Sequence, residues 1–202
     1  MLALKAAAYL AVIAGIVLTR MSKANHPHAA FGLANHVTSV RALLVAVIAG
    51  VIGEPRTPRL AAAAAAVAVV VTMMDGIDGF LARRSGMSSA FGARFDMEVD
   101  ALLIMALSIL AWTYDKAGAW VIASGLLRYL FVVAGWIWPW MERPLYPSRR
   151  RQTVCVIQII ALIAIVSPVV TRPASTAVAA VALAVLSASF LVDTLWLVHR
   201  RP

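Results

Sequence analysis

Five of the nine acidic residues in this 202-residue chain fall within 26 positions: Asp75, Asp78, Asp96, Glu98 and Asp100. Asp75 and Asp78 are three apart and Asp96 and Asp100 are four apart, spacings that place paired side chains on one face of a helix. The stretch between the pairs is short, so the two helices carrying them are antiparallel neighbours and the four aspartates converge. Like charges this close repel, and at membrane depth each ionised carboxylate costs roughly 2.5–3.5 kcal/mol on insertion scales. A divalent cation relieves both problems. A ligand set made only of oxygen favours a hard ion, Mg2+ or Mn2+. Four carboxylates suffice for two ions, the arrangement that clamps phosphoryl oxygens during a displacement. Ion pairs with neighbouring arginines, or a proton or ion pathway, use the same residue types.

Small residues surround the acids. Gly79 follows Asp78, Ala82 lies one turn on, and Gly92 precedes Asp96 by four. Their lack of bulk lets a phosphorylated ligand approach the backbone, and Arg83 offers a planar fork to phosphate oxygens. Helix packing is the alternative use of such glycines and alanines. Glu98 lies off the Asp96/Asp100 face and is read as an arginine partner or an interfacial residue.

The elements that must position these groups are membrane helices. Apolar residues make up 62% of the chain, charged residues 13%, and mean hydropathy is +0.88, against about 25% charged in soluble domains. A soluble fold of this size could not hide so much apolar surface. Disorder, coiled coils and disulfide scaffolds are excluded, and the single cysteine, Cys155, reads as a small apolar residue in a helix. The histidines His26, His28, His36 and His199 lack a metal-binding helical spacing and read as interfacial or solvated.

A membrane span needs about 20 apolar residues. Such runs lie near 2–19, 37–53, 60–79, 92–113, 118–140, 152–170 and 174–198. The expected fold is all-α and integral to the membrane: six core transmembrane helices plus an N-terminal helix that spans the bilayer or lies on it. Residues 1–34 form that helix and a linker, and 35–202 form the membrane domain. Lys5 followed by an apolar run resembles a signal segment, but Arg20 and Lys23 follow directly without a clean cleavage site, which favours a retained anchor or interfacial helix. Alanines such as Ala61 to Ala66 suit close helix packing.

The net charge is +9. One set of helix ends and loops carries twelve basic residues (Arg20, Lys23, Arg41, Arg83, Arg84, Arg94, Arg143, Arg149, Arg150, Arg151, Arg200, Arg201). The other carries five: Lys5, Arg56, Arg59, Lys116 and Arg172. The positive-inside rule places the first set, with the acidic cluster, in the cytoplasm. The partner this implies is a lipid bilayer, and no nucleic acid is expected.

The pattern Asp-x2-Asp-Gly-x2-Ala-Arg-x8-Gly-x3-Asp-x3-Asp, met by Asp75, Asp78, Gly79, Ala82, Arg83, Gly92, Asp96 and Asp100, resembles the signature of the CDP-alcohol phosphotransferases. Asn35-x2-Thr38-x2-Arg41 resembles the opening of the first core helix in the phosphatidylglycerophosphate and phosphatidylinositol-phosphate synthase branch. The resemblance covers about residues 35–198. It implies an integral membrane enzyme that moves a substituted phosphate from a CDP-linked donor to an alcohol and releases CMP. In bacterial-type members the donor is CDP-diacylglycerol and the membrane is the cytoplasmic (inner) one. By position, the resemblance makes Asp75, Asp78 and Asp96 metal ligands. Asp100 completes the metal site and acts as the catalytic base on the acceptor hydroxyl. Gly79, Ala82, Arg83 and Gly92, with Asn35, Thr38 and Arg41, shape the nucleotide and diphosphate pocket. The family is commonly homodimeric.

The acceptor is read from arginines. Arg149, Arg150 and Arg151 could capture a phosphorylated alcohol such as glycerol 3-phosphate or an inositol phosphate; anchoring on anionic lipid is their other use. The stretch resembles the basic-x-basic-Thr-x2-Gln segment of glycerol-phosphate-using members, except that Gln152 abuts Thr153 and Gln158 lies further on. Arg128, inside a span, should face a polar cavity and contact acceptor or phosphate. Trp136, Trp138 and Trp140 read as an interfacial belt, and Asp193 as a hydrogen-bonding group within the bundle. An unphosphorylated acceptor (serine or inositol), or a CDP-amino alcohol donor, is the alternative within the family. A divalent-cation transporter is the remote one, because transport should spread carboxylates across the bilayer.

Overall fold

The computed structural model describes residues 2–20, 31–85 and 89–199; within these, the side chains at 2, 12–14, 16–20 and 77–85 are not described. His26, His28 and Lys23 lie outside the described residues. Seven long helices run in sequence: α1 (Leu2–Arg20), α2 (Leu33–Gly50), α3 (Pro58–Ser85), α4 (Ala90–Thr113), α5 (Ala123–Ile137), α6 (Arg149–Val166) and α7 (Ala174–His199). Short 3-10 turns at Ala119–Ile122 and Pro139–Glu142 flank α5. The described residues contain no strand.

Each expected apolar run has become a helix, with two informative shifts. The helix α3 does not stop at Gly79 but continues to Ser85, so Asp75 and Asp78 lie inside a helix rather than at its end. The helix α6 starts at Arg149, so the three consecutive arginines form its first turn rather than a loop.

Four segments are long and apolar enough to cross a membrane: Leu33–Gly50, Pro58–Gly76, Ala119–Ile137 and Ala174–His199. They mark a membrane protein. The helices α4 and α6 carry their charges in their N-terminal halves (Asp96, Glu98 and Asp100 in one, Arg149 to Arg151 in the other) and are apolar beyond. Large apolar side chains stay exposed on outward faces, such as Met73, Leu130, Val181 and Leu191. Such a surface suits lipid, where the backbone must be satisfied within each helix.

The centre of the bundle is α4, which packs against α2, α5 and α6, while α3 packs against α2 and α6. Phe91, Phe95, Val99, Leu103, Leu107 and Leu110 form its buried stripe. On α3 the buried alanines Ala61, Ala64, Ala65 and Ala68 repeat at helical period, the small-residue seam expected of the alanine run. At the α4–α5 crossing Gly125 has no room for a side chain: a Cβ there would lie 2.6 Å from the Met105 Cα. Cys155 packs against this core as a partly buried apolar residue.

The bundle end opposite the acidic cluster is knitted by polar contacts. Lys5 donates to the Ile52 carbonyl at 3.1 Å and pairs with Glu54 at 2.9 Å. The hydrogen bond from Lys5 holds the Glu54 carboxyl below its ordinary range. Lys116, almost fully buried, donates to the carbonyls of Ser167 and Val170 in the turn that follows α6. Desolvation pulls its pKa down, and the two carbonyls satisfy the buried ammonium.

Candidate active site

Three helices meet at Arg41. It projects from the first half of α2 and is fully buried. Its Nη2 lies 2.9 Å from Asp75 Oδ1 on α3 and 2.6 Å from Asp100 Oδ1 on α4. Its Nη1 pairs with Asp96 Oδ1. A guanidinium presents several donors in one rigid plane, which is what bridging three carboxylates demands. A lysine has one nitrogen and could not span them equally.

The three carboxylates each offer an oxygen within 4.8 Å of the others. Their side chains are partly exposed, at 32% for Asp75, 36% for Asp96 and 20% for Asp100, above an Arg41 that is 0% exposed. The guanidinium is therefore the floor of the site, and the carboxylates face outward where a ligand can reach them. One guanidinium against three carboxylates leaves a formal surplus of two negative charges. An oxygen-only donor set with that surplus fits a hard divalent cation. Asp78 lies one turn beyond Asp75 on α3, and Gly79, Ala82 and Arg83 follow on the same helix; their side chains lie outside the described residues.

The start of α4 is fixed locally. Ser89 N-caps the helix, its side chain accepting from the Gly92 N–H at 3.0 Å. Gly92 then passes close to α2: a Cβ there would lie 2.9 Å from Asn35 Oδ1. Asn35 is buried, and its Nδ2 donates to the Phe31 carbonyl at 2.5 Å. Thr38 is also buried and donates to the Ala34 carbonyl at 3.1 Å. Asn35, Thr38 and Arg41 thus share the buried side of α2; Arg41 joins it to α4 through Asp96 and Asp100, and Asn35 lies against Gly92.

The arginines expected at the acceptor are distributed differently. Arg128 on α5 pairs with Glu98 on α4; its Nε is buried and has no hydrogen-bond partner among the described residues. The reading of Glu98 as an arginine partner agrees with this pair. Arg150 donates to the Ser189 carbonyl and hydroxyl, each at 2.7 Å, and pairs with Asp193 at 2.6 Å. Arg151 lies 3.6 Å from Asp193, donates to the Tyr146 carbonyl and covers the Tyr146 ring at 5.4 Å. Arg149 is exposed. Two of the three consecutive arginines therefore bind α7 and the preceding loop. Asp193, 95% buried at its side chain, is the anchor that sequence reasoning left without a partner. The available signal was a lone acid in an apolar helix, which demands a cation.

Comparison with curated proteins and with solved structures returns no match. The profile of the CDP-alcohol phosphatidyltransferase family matches residues 31–193, a range that holds Arg41, all four motif aspartates and Asp193. Over four-fifths of its length, the chain thus belongs to the CDP-alcohol phosphatidyltransferase family, whose members are transferases of substituted phosphate groups.

Proposed function

We propose that the protein transfers the phosphatidyl group of CDP-diacylglycerol to a phosphorylated alcohol, such as glycerol 3-phosphate or an inositol phosphate, and releases CMP. The observation that carries this reading is the convergence of Asp75, Asp96 and Asp100 on one outward-facing site, at the positions of the family motif. Asp75, Asp78, Asp96 and Asp100 would hold one or two Mg2+ or Mn2+ ions, which neutralise the diphosphate and the leaving CMP. Asp100, least exposed of the three described aspartates, takes the proton of the acceptor hydroxyl. That oxygen bonds to the phosphatidyl phosphorus as the bond from phosphorus to the CMP oxygen breaks. By the motif, Gly79, Ala82, Arg83 and Gly92, with Asn35, Thr38 and Arg41, are assigned to the nucleotide and diphosphate pocket, where small residues leave room for the ligand and an arginine would offer its fork to phosphate oxygens. The domain is read as residues 35–202 with six core spans, preceded by the 1–34 segment. It works as a homodimer in a bacterial inner membrane with the site toward the cytoplasm.

Arg128 is the arginine assigned to a phosphorylated acceptor: it pairs with Glu98, which lies between Asp96 and Asp100 in sequence, and its buried Nε has no hydrogen-bond partner among the described residues. A second reading, an unphosphorylated acceptor such as serine or inositol, draws on the neutralisation of Arg150 and Arg151 by Asp193. Radiolabelled CDP-diacylglycerol with Mg2+ or Mn2+ decides between them. Labelled lipid and CMP with glycerol 3-phosphate or inositol phosphate are expected. Product with serine or inositol alone moves the assignment to the second reading, and no CMP with any acceptor overturns both.

A further inference from the structure

We propose that Arg41 is a built-in counter-cation that competes with divalent ions for the carboxylates of the active site, and so sets how tightly those ions are held. The proposal rests on the reading of the aspartates as a metal site. Every carboxylate described there spends an oxygen on the same guanidinium: Asp75 and Asp100 on Nη2, Asp96 on Nη1. These are the three groups that lie close enough together to share a cation. Arg41 and a divalent ion therefore draw on one pool of ligands.

Two further features make the competition unavoidable. Arginine stays protonated at any physiological pH, so its charge cannot be switched off to make way. Arg41 is also fully buried, and a buried guanidinium stripped of its carboxylates would be strongly destabilised. It is held by α3 and α4 as firmly as it holds them. An arriving ion meets a fixed positive charge a few ångströms away, and at that range repulsion is strong even when partly screened.

The consequence concerns the order of events. An anionic diphosphate adds the negative charge that Arg41 removes, so ion and nucleotide donor bind better together than apart. By linkage each raises the affinity of the other. Arg41 is on this account a positioning residue. It keeps the three helices and their aspartates in place and holds the ion loosely until the donor arrives.

The test uses full-length protein in lipid nanodiscs, with Mn2+ binding followed by electron paramagnetic resonance and thermal unfolding measured in EDTA and in saturating Mn2+. Arg41→Gln should bind Mn2+ at least about tenfold more tightly than wild type, because one full charge is removed at close range. Its melting temperature should fall in EDTA and recover in Mn2+. The effect of added CDP on Mn2+ affinity should shrink. A purely structural arginine would lose stability without gaining Mn2+ affinity, and that result overturns the proposal. If Arg41→Gln cannot be recovered folded, Arg41→Lys decides. Its single ammonium cannot span three carboxylates, so tighter Mn2+ binding than wild type supports the competition and unchanged or weaker binding overturns it. Failure of wild type to bind Mn2+ at all would instead overturn the metal reading beneath it, a distinct result because it needs no variant.

Discussion

At the scale of single residues, one buried arginine holds three partly exposed carboxylates together. Asp100, the proposed base, is one-fifth exposed and accepts from Arg41 at 2.6 Å. Asp100→Asn keeps the shape and one acceptor oxygen but removes the proposed base. Turnover should fall by about 10²–10⁴-fold, the usual worth of a general base, while CDP binding measured by calorimetry is largely kept. Full activity in this variant would remove Asp100 from the chemistry. The convergence of Asp75, Asp96 and Asp100 was legible in the sequence because three- and four-residue spacings put acids on one face of a helix. The bridge through Arg41 was not legible. Its only signal was the looser Asn35, Thr38, Arg41 spacing, and which carboxylates an arginine reaches depends on how three helices pack. The same limit applies to Asp193, whose partners lie 42 and 43 positions away in sequence.

At the scale of elements, α6 shows a conflict resolved by a neighbour. Three arginines in its first turn oppose the helix macrodipole, which favours anions there. Asp193 and Ser189, near the C-terminal end of α7, provide the compensation by accepting from Arg150, and Asp193 also faces Arg151. Asp193→Asn should lower stability by about 1–3 kcal/mol in thermal unfolding. That is below the 3–5 kcal/mol of a fully buried pair, because both arginines are about three-tenths exposed. Arg149→Ala should leave the melting temperature unchanged, since Arg149 is exposed and makes no ion pair among the described residues. If the acceptor is phosphorylated and uses this turn, Arg149→Ala raises its KM. A loss of stability in Arg149→Ala equal to that in Asp193→Asn would contradict this division of labour. Sequence reasoning grouped the three arginines because they are adjacent, whereas successive residues on a helix point in directions about 100° apart and meet different neighbours.

At the scale of the whole molecule, the two ends of the bundle carry different chemistry. Lys5 with Glu54, Arg56 over Tyr114, Arg172 with Asp115, and Lys116 on the turn after α6 all gather at one end. The opposite end holds the Arg41 carboxylates, the first turn of α6 and Asp193. Alternating helix directions produce this split. It was legible beforehand because apolar length and loop prolines fix where the chain turns, and charge then sorts the turns into two groups. The orientation of the ends across a membrane is a separate matter, argued from the excess of arginine and lysine at the carboxylate end. It can be tested because Cys155 is the chain's one cysteine. In a Cys155→Ala background, Val169→Cys places a thiol at a position 85% exposed in the loop between α6 and α7. Pro147→Cys places one at an exposed position before α6. In sealed right-side-out vesicles a membrane-impermeant maleimide should label Val169→Cys at once, and Pro147→Cys only after detergent is added. The reverse pattern would place the carboxylates on the outer side, away from the cytoplasmic nucleotide that the proposed reaction consumes, and would count against the function as well as the orientation.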